Sequence, residues 1–348
     1  MRTALVASLL LVVTACSGCE QLDGRSRNRK GNAAFRESHF VDAVAQYQKA
    51  LTEVDEPTIH YNLGLAYSKV FKIGEEDGYQ VLLDQAGTFP CQVIPKVKTV
   101  TKQVCVKPGD HTFTSCDEKN VCASSFKCEK VDLCAADNTE LANMATDNFA
   151  SWLKSNPKDV ETRALMTQVW LDSSQYKKAL DYWEVLDKAK PNDPEIMGNL
   201  AGINLKANDW RKSIEWYLKV AAVATDVSAK VAAYQFIGNV AWAKLNSRTL
   251  GRDDSIELAD RGIGALQQES ALQPDNAKPL SLAASISNFR GQAQGPAWAS
   301  AIDRAAAQEL QADAHVLRMK AKAAGASPTT PPASGAATNN SNPAKTGG

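Results

Sequence analysis

The chain has 348 residues, of which 39 are basic and 39 acidic, so its net charge is zero. That balance argues against a nucleic-acid partner, which calls for a basic excess or stripe. The length holds one large domain or two ordinary ones. The four histidines (His39, His60, His111 and His315) are scattered without ligand spacing. After the N-terminus no apolar run reaches about 18 residues, so the mature chain is not expected to span a membrane.

The N-terminus reads as a targeting segment. Met1-Arg2 is a short positive region, Ala4 to Val13 is an apolar stretch of secretory length, and Val13-Thr14-Ala15-Cys16 closes it. An apolar residue, two small residues and a cysteine there resemble a bacterial lipoprotein signal. The resemblance implies a signal over 1–15, a lipid on Cys16 and a lipidated linker over 16–23. Several acyl chains on one cysteine anchor firmly where a single chain would not. Ser17 after the cysteine implies the outer membrane by the usual bacterial sorting pattern. Ser17-Gly18-Cys19 is the competing site, and an ordinary cleaved signal is the plainer reading. Arg25, Arg27, Arg29 and Lys30 follow, either near anionic head groups or on a solvated helix face.

From Gly24 onward the sequence repeats. The first unit places Gly31, Ala43, Tyr47 and Ala50 at helical spacing, and the second opens at Pro57 with Leu63, Gly64 and Tyr67. The clearest unit runs from Val160 to Asp193. There Met166, Thr167 and Trp170 fall in one amphipathic stretch, Ala179 and Trp183 in the next, and Asp172-Ser173-Ser174 marks a turn between them. Pro157 and Pro191 bracket it 34 residues apart. A fourth unit from Pro194 carries Leu200, Ala201, Ser213 and Tyr217. A fifth near Val231 carries Tyr234, Ile237, Gly238 and Ala241, with its second helix expected about a dozen residues late. A sixth, from Ala277, is degenerate.

This register resembles the tetratricopeptide repeat (TPR) family, whose unit is about 34 residues. The expected fold is all-α: a superhelical solenoid of helical hairpins. A small residue such as Ala179 lets paired helices approach, aromatics such as Trp170 and Trp183 fill the groove between them, and Pro191 stops the second helix. One hairpin cannot bury its own apolar face, so neighbours must stack. The array is expected over 24–68 and 139–323, with a disordered Pro/Ser/Thr/Gly/Asn-rich tail over 324–348.

Residues 69–138 interrupt the second hairpin. Cys91, Cys105, Cys116, Cys122, Cys128 and Cys134 all lie there. Gln92 to Val106 alternates like a strand, Lys107-Pro108-Gly109-Asp110 is a turn signal, and the rest is polar and short of large apolar residues. Such a segment needs staples. A small, partly β, disulfide-rich insertion is expected, since the signal leads to an oxidising compartment. Six cysteines allow fifteen pairings, which the sequence leaves open. Zinc is the rival, but these six cysteines include no C-x-x-C pair.

No G-x-S-x-G, H-E-x-x-H or phosphate-cradling loop occurs, so no catalytic residue, cofactor or metal is expected. TPR resemblance implies a concave protein-binding groove lined by first helices. It places Asn28, Asn32, Phe35, Tyr61, Asn62, Leu65, Gln168 and Asn239 as candidate contacts, with Gln235 and Trp242 beside Asn239. Asn32 and Asn62 match the two asparagines of a carboxylate-clamp TPR. Asn28, Glu161 and Leu165 stand where that clamp has cations, so the clamp is broken. The bland alternative is that these side chains only solvate the array. The expected function is a periplasm-facing, outer-membrane-anchored scaffold or assembly factor for an envelope complex, binding protein or peptide partners and no nucleic acid. Secretin pilotins and outer-membrane assembly lipoproteins are built this way, though neither has the cysteine insertion. The alternative is a secreted or surface module whose insertion is the recognition element.

Overall fold

The computed structural model describes residues 21–82, 94, 96–107, 113–117 and 121–325. Residues 1–20, including Cys16, Cys19 and the expected signal, and also Cys91 and the tail beyond residue 325, lie outside them. Residues 21–36 form helix α1, followed by α2 (Phe40–Leu51) and α3 (Pro57–Val70). Four strands come next: β1 (Asp77–Leu82), β2 (Val97–Val106), β3 (Thr114–Ser115) and β4 (Lys127–Asp137). The chain then runs through α4 (Asn138–Ser155), α5 (Val160–Asp172), α6 (Tyr176–Ala189), α7 (Pro194–Lys206), α8 (Trp210–Val223), α9 (Val227–Asn246), α10 (Arg252–Leu272), α11 (Ala277–Ala293) and α12 (Ala297–Ala323). The result is an all-α array of helical hairpins with a small disulfide-linked sheet set into its second hairpin. None of the described helices is long and apolar enough to cross a membrane.

The repeat is written in the helix ends. Asp159, Asp193 and Asp226 each cap a first helix, accepting from the backbone N–H groups of Thr162, of Glu195 and Ile196, and of Ala229. The carboxylate satisfies amides that lack an intrahelical acceptor and favourably meets the positive end of the helix dipole. Turns inside the hairpins close through a left-handed residue: Ser38, Ser174, Asn208 and Arg248 all have φ between 53° and 66°. Ser174 and Asn208 are 34 positions apart, as are Asp159 and Asp193.

The chain divides after Gln175 into two compact units. In the first, α1 to α5 pack in sequence around small residues. A Cβ on Gly31 would stand 2.4 Å from the Tyr47 ring, and one on Gly64 would stand 2.8 Å from Phe149, so both close approaches require glycine. In the second unit, α7 to α12 pack successively. Ile214, Ile237, Leu258, Leu266 and Ile286 are fully buried at the centre of its core. The fifth hairpin has no long delay between its helices. Its additional residues lengthen α9 and α10 to 20 and 21 residues, joined by a short turn. A helix absorbs extra length while keeping its backbone bonded, which a loop does not.

The sheet is antiparallel in the order β1-β4-β2-β3. The strand expected over 92–106 contains β2. The polar remainder was not expected to be a strand, yet β4 is the longest one, and it pairs with both β1 and β2. Leu133, Cys134, Ala135 and Ala136 are consecutively buried near its end, which breaks the alternation that marks a strand in sequence. β4 passes into α4 with no loop between them.

Candidate protein-binding surfaces

The candidate groove residues of the first unit do not line open space. Asn28, Asn32, Phe35, Tyr61, Asn62 and Leu65 are all buried. The expectation that they face a partner is corrected on geometry: the amides are engaged with one another. The Asn62 side-chain NH2 donates to Asn28 Oδ1 at 3.2 Å and to Asn32 Oδ1 at 3.1 Å, and the Tyr47 hydroxyl donates to Asn32 Oδ1 at 2.8 Å. Burial pushes the Tyr47 phenol well above its ordinary range. Phe35 meets Phe40 edge-on at 5.2 Å, and Tyr61 packs against Phe149 and Trp152. Trp152 sits where the repeat usually has a small residue. It is held there by its indole N–H, which donates to Asp159 at 2.7 Å. Gln168 and Asn239 are exposed. Gln168 donates to Asp172 at 2.7 Å, and Asn239 accepts from Gln235 at 3.3 Å.

An open face exists in the second unit, on its first helices. A Cβ on Gly198 or Gly202 of α7 would meet nothing within 4 Å. On α9, Asn239 and Trp242 are exposed and Gln235 half-buried. On α11, Asn288 is exposed and Ser281 and Ser285 half-buried. The helices are neighbours: Leu205 of α7 packs on the core that holds Ile237 and Val240, Lys244 donates to Asn208, and α9 packs on α11. Beside this face Tyr217 stacks on the exposed Phe236 at 5.2 Å. Asn239, Gln235 and Trp242 were legible from the repeat register. Gly198 and Gly202 were not singled out, although two interior helix glycines one turn apart, each costing about 1 kcal/mol of helix stability, are a signal for close approach.

In the insertion, Cys105 bonds Cys122 and Cys116 bonds Cys128. Cys134 is disulfide-bonded to a partner outside the described residues. The sulfurs of Cys105, Cys116 and Cys122 lie within 4.8 Å of one another, but all three are in disulfides and offer no thiolate to a metal. Asp77 is buried between Lys98 at 2.8 Å and Lys102 at 3.3 Å. Burial pushes its carboxyl up, but the two ammonium groups together outweigh that and hold it below the usual range. In the second unit Glu269 is buried with its Oε2 unpartnered, and burial raises its pKa to about 7.

No protein-family model matches the chain, and no curated protein matches it significantly. Among solved structures, one crystal structure of MamA is similar at 18% identity, covering 52% of this chain and 85% of that one with a TM-score of 0.35. A second, also of MamA, is 17% identical and covers 53% of this chain and 93% of that one, with a TM-score of 0.34. At such scores the likeness carries nothing about function. The fold rests on the hairpins, caps and turns themselves.

Proposed function

We propose that this chain is a non-catalytic protein-binding scaffold, anchored in a bacterial outer membrane by a lipid on Cys16 and facing the periplasm, where it holds or helps assemble an envelope complex. The α7–α9–α11 face carries this reading. Bare glycines on α7 let an extended backbone lie close, Gln235 and Asn239 offer amides to it, and Trp242 offers a flat apolar anchor. The disulfides support an oxidising compartment. The test is a photo-crosslinking residue at Gly202 or at Trp242 in living cells. Both positions should trap the same envelope protein, and Asn239→Ala with Trp242→Ala should weaken its capture about tenfold or more. If neither position traps a protein, or the double variant captures as well as the parent, the reading fails.

A second reading, in which the insertion recognises the partner, is favoured by β2. Among the described residues, Val104 and Cys105 pair with β3 on its outer side and the Gln103 carbonyl accepts from the Cys116 N–H, leaving Val97 to Lys102 as an edge able to accept a strand. Capture that survives the α9 double variant and disappears on removing the insertion selects this reading.

A further inference from the structure

Helix α12 packs on α11 through Asp303, Ala307, Ala314 and the half-buried Leu310. Its other face is bare and largely apolar. Trp298, Ile302, Val316 and Met319 are 69%, 59%, 49% and 53% exposed. Ala305, Glu309 and Ala312 lie between them, so the stripe steps by four and three residues alternately from Trp298 to Met319. That is the seam of a coiled coil sustained over about three heptads, roughly 32 Å by helix rise. An outermost hairpin is ordinarily polar on the side where nothing stacks. Residues 326–348 contain no Val, Leu, Ile, Met or aromatic side chain, so that stretch has nothing to lay against the seam.

The seam is complementary to itself in one orientation. In a parallel pair in register, Trp298 would meet its own copy and Glu309 would meet Glu309, which sets like charges together. In an antiparallel pair each seam position meets a different one. Trp298 faces the second copy's Ala323, Ile302 faces Met319, Ala305 faces Val316 and Glu309 faces Ala312. Large side chains then oppose small or flexible ones, and no layer sets charge directly on charge. The flanks agree. Ala299, Ala301, Ala306 and Gln308 oppose the second copy's Lys320, Lys322, Asp313 and His315, so no like-charged residues stand opposite. Lys320 comes within reach of the exposed Trp298 ring, a cation–π pairing.

We propose that two copies of this chain associate through an antiparallel α12–α12 pair along Trp298, Ile302, Ala305, Ala312, Val316 and Met319. Glu309 is the polar residue that fixes register at a cost in affinity. This inference stands apart from the peptide-binding face on α9.

Sedimentation of the full chain over a range of concentrations tests it. The parent should form a dimer with micromolar affinity. Ile302→Glu with Val316→Glu should raise the dissociation constant about thirtyfold or more, because four carboxylates would enter the seam. Far-UV circular dichroism should not change, since both side chains are exposed. Glu309→Leu should tighten the dimer about fivefold or more. Ala305→Cys with Val316→Cys should give an oxidised covalent dimer, and Ala305→Cys alone should not. The proposal is overturned if the parent stays monomeric to about 100 μM, or if its dimer ignores the glutamate pair or Glu309→Leu. Cross-linking by Ala305→Cys alone would overturn the antiparallel pairing. A monomer that binds anionic phospholipid vesicles through α12 would assign the seam to a membrane instead.

Discussion

Asn28, Asn32 and Asn62 reach across α1 and α3 to bond one another in a space closed to water. Removing Asn62 takes the donor from Asn28 Oδ1 and leaves Asn32 Oδ1 with the Tyr47 hydroxyl. Asn62→Leu should cost about 1–3 kcal/mol, because the Asn28 and Asn32 oxygens lose their shared donor. Urea unfolding at an unchanged m-value measures it. Glu269 makes the opposite case. Its carboxyl ordinarily titrates near 4.5 and is raised to about 7 by burial. Below the lower value it is neutral both folded and unfolded. Between the two, the unfolded chain ionises first, so stability falls as pH rises, and above about 7 the full cost is present. Glu269→Gln should therefore stabilise the fold by up to about 3 kcal/mol at pH 8 and change little at pH 4. Thermal melts at both values check the sign. Glu269 was not singled out in the sequence, although it falls on the apolar stripe of Leu258, Gly262 and Leu266. The asparagines were not legible as core. A repeat position says which side of a helix a residue occupies, but not how closely the next helix covers it.

At the scale of elements, the hairpins were readable, and of the sheet only the strand that became β2 was. Helices repeat apolar residues at a fixed period and announce their ends with Asp and Pro. By contrast β4 alternates poorly and owes its place to pairing with β1 and β2, which are distant in sequence. Cys105 lies opposite Cys128 in the β2–β4 register yet bonds Cys122, so spacing could not have given the connectivity. Non-reducing peptide mapping should recover Cys105 linked to Cys122 and Cys116 linked to Cys128. Replacing Cys116 and Cys128 by Ala should cost the insertion about 3 kcal/mol on a loop-entropy basis. The helical melt should be spared. The boundary matters as well. Asp137 accepts from the Glu140 N–H and caps α4. Deleting 69–138 removes that cap and should lose about 1 kcal/mol or more relative to deleting 77–136, which retains it.

For the whole molecule, the helical-hairpin register was legible because periodicity accumulates over several units even where one of them, the sixth, is degenerate. The register did not carry where added length goes: α9, α10 and the 27-residue α12 extend rather than loop out. The lipid proposed on Cys16 predicts that Cys16→Ser releases the protein from membranes or blocks processing. The intact mass of the mature chain, with acyl groups and Cys16 first, is the direct check.

The mouth of the insertion has a consequence of another kind. The Asn138 side chain accepts from the Lys72 N–H at 2.9 Å and donates to the Lys72 and Glu75 carbonyls at 2.5 Å and 2.7 Å, clasping the outgoing chain to the returning one. The two strands of the neck are thus held at a fixed spacing by one residue that belongs to the helical frame. Close to the neck the insertion also leans on the frame, where a Cβ on Gly78 would stand 2.4 Å from Leu141 of α4 and Lys96 pairs with Glu140 at 2.8 Å, so strands that keep those contacts can be exchanged on the same neck. The second hairpin is in effect a socket. Descendants of such a gene can acquire new specificities by swapping the cassette it holds, and an engineer can graft a foreign disulfide-bonded loop between residues 76 and 137 on the same terms.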